Sequence, residues 1–182
     1  MKEITKFRKY YLPFLIFIFF LFDQITKEII IRNLNVGYSI PEDGFFRFTH
    51  VRNFGSAFSI INDANLFLMI VGIFAIIFIF YFLIFYTKDS NLLQIAISLQ
   101  LSGALGNIVD RVRLGSVTDF IDVGSWPVFN IADSCISVGM FLLVIHILFS
   151  WKNDVKNEES KRRSRKNKAR YVFKFYFKII KN

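Results

Sequence analysis

Twenty-one consecutive residues, Leu66 to Tyr86, carry no charge, and neither do the eighteen from Leu92 to Val109. A helix needs about 20 predominantly apolar residues to cross the roughly 30 Å of bilayer hydrocarbon. Inside lipid every backbone N–H and C=O must find a partner within the protein, which leaves helices or closed barrels. Runs of this length point to helices. The chain is therefore expected to be a polytopic membrane protein and not a soluble domain.

Two further spans complete the pattern. One runs from about Tyr11 to Ile31, with charges only in its second half, and the other from about Ile131 to Trp151, with Asp133 near its start. The expected fold is an all-α integral membrane protein with four transmembrane helices, over residues of about 11–31, 66–86, 92–109 and 131–151. The amino terminus (Lys2, Lys6, Arg8 and Lys9 before an apolar run) imitates a secretory signal peptide. No cleavage site of small residues follows it, so it reads as a retained anchor.

Charge sets the expected orientation. Of the formal +9, the whole excess lies in Lys152 to Asn182, with twelve Lys or Arg against three Asp or Glu. Basic segments stay cytoplasmic and are drawn to anionic headgroups. Both termini and the Lys88 turn (Thr87 to Asn91) are thus expected inside, and the loops Arg32 to Asn65 and Asp110 to Asn130 outside. Residues 1–155 form the four-span domain and 156–182 a basic cytoplasmic tail whose partners are membrane lipids. The tail has no nucleic-acid-binding module, so no nucleic-acid partner is expected.

The first outer loop has internal order. Phe45 to Val51 is aromatic and β-branched, bounded by Glu42-Asp43-Gly44 and Asn53-Phe54-Gly55, which predicts a strand followed by a turn. A small extracytoplasmic sheet on the outer membrane face follows from it. In the third span Ser98, Ser102 and Gly106 recur every four residues, a row that lets helices approach closely in lipid. The lone Cys135 allows no internal disulfide and reads as a small apolar filler.

Polar residues gather at the outer ends of the spans: Asp23 and Lys27, Asn53, Asn107, Asp110 and Arg111, Asp119, Asp122, Asn130 and Asp133. Each has a structural explanation taken singly. Asp23 and Lys27 stand at i,i+4 and could simply pair. Asp110 and Arg111 could cap a helix and snorkel, and Asn130 and Asp133 could cap and complement the N-terminus of the last one. Ionisable groups at a bilayer edge are costly, however, and their collection on one face argues for a site. Asp119 and Asp133 flank a short polar segment, and two carboxylates meeting beside water are the minimum equipment of an acid–base hydrolase. No His-rich ligand set implies a metal or other cofactor, and no Ser–Lys or Ser–His pair competes.

The ordered motifs Asp23-Gln24-Ile25-Thr26-Lys27, Val51-Arg52-Asn53-Phe54-Gly55-Ser56-Ala57-Phe58, Gly106-Asn107-Ile108-Val109-Asp110-Arg111, Val117-Thr118-Asp119-Phe120-Ile121-Asp122 and Phe129-Asn130-Ile131-Ala132-Asp133-Ser134 resemble signal peptidase II, the bacterial lipoprotein signal peptidase. The resemblance covers about Tyr10 to Trp151. It implies an aspartic endopeptidase of the bacterial cytoplasmic membrane that removes signal peptides from diacylglyceryl-modified prolipoproteins, cutting before the lipidated cysteine. It implies catalytic roles for Asp119 and Asp133. Asn53, Asn107, Arg111 and Asn130 match positions that line the site and hold substrate backbone, while Asp23, Lys27 and Asp110 match supporting polar positions. Inhibition by globomycin follows from the same likeness. The rival class is a non-enzymatic membrane protein, a small transporter or scaffold subunit. A transporter places its polar groups near the midplane, often within repeats; here they cluster at one surface and no repeat is visible.

Overall fold

The computed structural model describes residues 2–55, 64–86 and 90–180, with the side chains of 2–10, 64, 86 and 164–180 excepted. The end of the second motif, Ser56 to Phe58, and the turn residues Thr87 to Asp89 lie outside the described residues. In chain order the elements are α1 (Lys2–Asn33), β1 (Ser39–Ile40), β2 (Arg47–Asn53), α2 (Ala64–Tyr86), α3 (Asn91–Leu114), β3 (Val117–Asp122) and α4 (Ile131–Ile180). They form two compact units, Met1–Leu143 and Val144–Asn182.

Among the described residues three helices are long and apolar enough to cross a membrane, over Asn65–Phe85, Asn91–Leu114 and Ile131–Arg163. Along α2 large side chains such as Phe74, Ile77 and Phe78 are exposed. A soluble protein does not leave so continuous an apolar face in water; in lipid it is the expected surface. The contrast with α3 is sharp. Ala96, Ile97, Leu99, Leu101, Ser98, Ser102 and Gly103 are all buried, so α3 is the packing centre of the first unit.

Small residues bring the other helices onto α3. A Cβ added at Gly103 would strike the Ala132 carbonyl oxygen, and one at Gly139 would lie 2.6 Å from the Ala96 oxygen, so α3 and α4 meet backbone to backbone. At Gly106 an added Cβ would fall 2.5 Å from Asp23 Oδ2 on α1, and at Gly72 of α2 it would fall 2.5 Å from Ile108 Cδ1. Ser98 and Ser102 are buried and Gly106 abuts Asp23, while Gly103 on α3 and Gly139 on α4 bring those two helices together. α3 starts at Ser90, whose hydroxyl accepts the Leu93 N–H, and outlasts the expected end near Val109 by five residues. Charge at Asp110, Arg111 and Arg113 ends the apolar run without ending the helix. Gly115 does that, in the left-handed conformation at φ 71°, donating its N–H to the Arg111 oxygen.

The sheet has the order β1-β2-β3 and is antiparallel throughout. Its middle strand starts at Arg47 and not at Phe45, two residues later than the aromatic run suggests. The third strand comes from the segment between α3 and α4 and was not anticipated. Val51 pairs with Asp119 and Asn53 with Val117, and an irregularity between Phe48 and Val51 shifts the register. Beyond β3 the chain folds back, and Phe129 exchanges backbone bonds with Ile121 (3.1 and 2.7 Å). This return delivers Asn130 to the start of α4.

In the second unit α4 continues as helix through Ile180, so the basic segment from residue 156 is a continuation of the helix. Lys161 pairs with Glu158 at 3.0 Å on its exposed face.

Candidate active site

The site assembles where α1, α3, β2, β3 and the first turn of α4 converge. Asp119 lies in the middle of β3 and is only 2 % exposed. Its Oδ2 accepts Asn53 Nδ2 from β2 at 2.9 Å, and its Oδ1 accepts Asn130 Nδ2 at 2.7 Å. The carboxyl is pushed up to about 6 from 3.8, mainly by burial and then by the negative charge of Asp133. The two amide donors and the charge of Lys27 pull it part of the way back.

Asp133 stands in the first turn of α4. Asn130 and Asp133 cap each other: Asn130 Oδ1 accepts the Asp133 N–H at 2.8 Å, and Asp133 Oδ2 accepts the Asn130 N–H at 3.3 Å. This reciprocal arrangement satisfies helix N–H groups that would otherwise lack partners. The other oxygen of Asp133 accepts Asn107 Nδ2 from α3 at 2.8 Å. Asn130 therefore touches both aspartates and is itself fully buried.

Beneath this pair lies a cluster of buried charge. Lys27 Nζ is 2.9 Å from Asp23 Oδ2, 3.3 Å from Asp110 Oδ2 and 3.1 Å from Asn107 Oδ1. The i,i+4 pairing of Asp23 with Lys27 is present, but Asp110 shares the same ammonium. Each carboxylate also reaches a backbone N–H: Asp23 Oδ1 accepts Ala132 N at 2.8 Å, and Asp110 Oδ2 accepts Thr118 N at 2.9 Å. Those two amides belong to the residues directly before Asp133 and Asp119. Asn107 is oriented by the same cluster. Its oxygen takes Lys27 and Asn130 Nδ2 (3.2 Å), so its amide nitrogen faces Asp133.

Nine of the ten polar residues singled out in the sequence gather here, with Arg111 at the margin. Its guanidinium donates to Asn65 Oδ1 at 3.2 Å, and its charge interacts with those of Asp119, Asp133 and Asp110. Asp122 stays apart. It binds Arg47 at 2.7 Å, Thr49 Oγ1 at 2.7 Å and the Gly124 N–H at 2.9 Å. The Thr49 hydroxyl, the Gly124 N–H and Arg47 hold its carboxyl below the usual range.

Two participants were not read from the sequence. Gln24 Nε2 lies 3.1 Å from Asp23 Oδ2, 3.2 Å from the Gly106 oxygen and 3.3 Å from Asp110 Oδ1. Its place inside the first motif was the available signal. Asn65, at the start of α2, carries no motif and no signal marked it.

Comparison with known proteins shows the family. The profile of the family described as Signal peptidase (SPase) II matches residues 15–149. A lipoprotein signal peptidase of Dehalococcoides mccartyi is 45 % identical over 133 residues, covering 70 % of this chain and 83 % of the relative. The enzyme of that name from Acinetobacter baylyi is 42 % identical over 148 residues (76 % and 82 %), and one from Staphylococcus aureus is 39 % identical over 145 (76 % and 88 %). Among solved structures, one described as a bacterial membrane enzyme determined by the in meso method at 1.9 Å superposes with a TM-score of 0.71 at 37 % identity, over 75 % of this chain and 92 % of the other. The matched region contains every residue of the cluster, and the chain belongs to the signal peptidase II family of membrane-embedded peptidases.

Proposed function

We infer that this peptidase removes signal peptides from diacylglyceryl-modified prolipoproteins by aspartic chemistry, with Asp119 and Asp133 as the working pair. The observation that carries the reading is the join made by Asn130, one side chain bonded to Asp119 and reciprocally capping Asp133. Two carboxylates held this close cannot both ionise readily, so the pair shares one proton and titrates with coupled values. The ionised member takes a proton from water as that water attacks the scissile carbonyl. The protonated member donates to the carbonyl oxygen, giving a neutral gem-diol. As the C–N bond breaks, the proton taken from water passes to the departing amine nitrogen, and the other carboxylate recovers its proton from the gem-diol hydroxyl. Asn53, Asn107, Arg111 and Asn130 hold substrate backbone and the aspartates, and Asp23, Lys27 and Asp110 support them.

In this reading α1 is a fourth span, both termini are cytoplasmic, and the site opens at the outer face of the cytoplasmic membrane. The tethered precursor presents its cleavage site at that depth. Residues 1–155 suffice for catalysis, while 156–182 form a cytoplasmic extension that binds anionic lipid. Clustering of Lys and Arg at the two ends supports the orientation.

Incubation of detergent-purified protein with a lipidated precursor tests the function. Cleavage before the lipidated cysteine, blocked by globomycin and absent with unlipidated precursor, is the expected result. Equal cleavage of the unlipidated form would contradict the substrate assignment. Reporter fusions at Lys166 and within Val36 to Asp43 test the orientation, and an outside signal from Lys166 would overturn it.

A further inference from the structure

An apolar cavity of about 700 Å³ lies between α1, α2 and α3, and the side chains that line it are all apolar. Its upper end is lined by Val109 and Leu105, each directly preceding a residue of the site, Asp110 and Gly106. Its lower end is lined by Leu12 on α1 and Leu83 on α2. The helices leave this space for a visible reason. α1 is pinned to α3 where Asp23 meets Gly106, and α2 where Gly72 meets Ile108, both near the site. Farther along α1, Pro13 interrupts the hydrogen bonding of the helix.

We propose that this cavity receives an acyl chain of the diacylglyceryl group on the substrate, a reading that rests on the proposed function. Three observations carry it. The cavity adjoins the site, so a chain attached beside the scissile bond can enter it from Val109 and run toward Leu83. It is flanked by the lipid-exposed residues Phe17, Phe80 and Ile84, so a chain can slide in sideways from the bilayer.

Its volume and lining also suit a hydrocarbon chain: about 700 Å³, bounded by apolar side chains such as Ile16, Ile76 and Leu101. Because lipid tails are as apolar as the cavity wall, the gain is in close contact and shape, not in water exclusion.

The test compares precursors whose diacylglyceryl cysteine carries palmitoyl or hexanoyl chains, using the full-length protein in detergent. The wild type should show a KM lower for palmitoyl than for hexanoyl by about tenfold, the change that ~1.4 kcal/mol of packing produces. Ile76→Trp fills the cavity from α2, remote from the site residues. It should raise the palmitoyl KM to the hexanoyl value while leaving kcat and the hexanoyl KM unchanged. A chain-length preference retained by Ile76→Trp, or equal loss on both precursors, would overturn the proposal.

A second measurement needs no variant. Precursor with a diazirine at the end of its palmitoyl chain should label cavity residues near Leu83 in the wild type, and excess phosphatidylglycerol should not abolish the label. Labelling elsewhere, or label lost to phosphatidylglycerol, would mean that the space belongs to bulk lipid and would refute the assignment. Cavity labelling without cleavage of any precursor would overturn the peptidase reading and leave the acyl site standing.

Discussion

Asp23 accepts the backbone N–H of Ala132 at 2.8 Å, joining the first helix to the first turn of the last across 109 positions of sequence. Asp110 does the same for Thr118 on β3. Each buried carboxylate thus holds the amide directly before one of the two candidate catalytic aspartates, and Lys27 lies between the carboxylates. The separation of Asp119 and Asp133 is therefore set through backbone, by a charged hinge-pin of three residues.

Lys27→Met should leave Asp23 and Asp110 facing each other without a cation. Removing one partner of a buried ion pair costs about 3–5 kcal/mol. A thermal melt in detergent should show a clear drop. An unchanged melt would mean the cluster contributes little to stability.

Gly106→Ala places a methyl group 2.5 Å from Asp23 Oδ2. Overpacking of this kind costs about 1–3 kcal/mol, and here the yielding group is the carboxylate that holds Ala132. Turnover should fall by more than the melt alone explains. Gly115→Ala serves as a control, since an added Cβ there meets nothing within 4 Å and the only cost is its left-handed backbone.

The pH dependence of stability has a definite sign. The Asp119 carboxyl is raised from 3.8 to about 6 in the folded protein, so the folded state binds the proton more tightly. Its stabilising contribution is complete below about 3.8 and is lost as pH rises through about 6. Above about 6, where the pair has lost its shared proton, burying the ionised carboxylate costs on the order of 3 kcal/mol, taking about 1.4 kcal/mol for each unit. Asp119→Asn should raise the melting temperature at neutral pH while stopping catalysis, and the advantage should vanish near pH 4. A variant no more stable than wild type at neutral pH would contradict the burial argument.

Cys135→Ala should keep its activity. The thiol is buried in α4 and no hydrogen bond joins it to the candidate aspartates among the described residues. Loss of processing by a normally inserted variant would require a thiol mechanism to be considered.

Much of this was legible before the structure, and for identifiable reasons. Hydropathy marks α2 and α3 because lipid permits only apolar runs there. The polar site residues stand out because each is expensive where it sits. β3 was not legible. Val117 to Phe120 are buried on both faces, so no alternation shows, and the strand is defined by pairing with β2 more than sixty residues earlier. For the same reason the sequence could pair Lys27 with Asp23, a local contact, but not with Asp110, which only the packing of α1 on α3 brings within reach. The end of α3 was misjudged because loss of hydropathy is not loss of helix, and Gly115 was the better marker.

The central claim is that Asp119 and Asp133 work as one unit, and conversion of lipidated precursor to mature protein by Asp119→Asn, Asp133→Asn and the double variant tests it most directly. Asn preserves size and some hydrogen bonding but can neither take the proton from water nor carry the shared one. Groups that act together are not additive when removed. Each single variant should therefore abolish cleavage while still melting cooperatively, the double variant should be hardly worse, and Asp122→Asn should be milder. Near wild-type turnover by either single variant would contradict the aspartic mechanism.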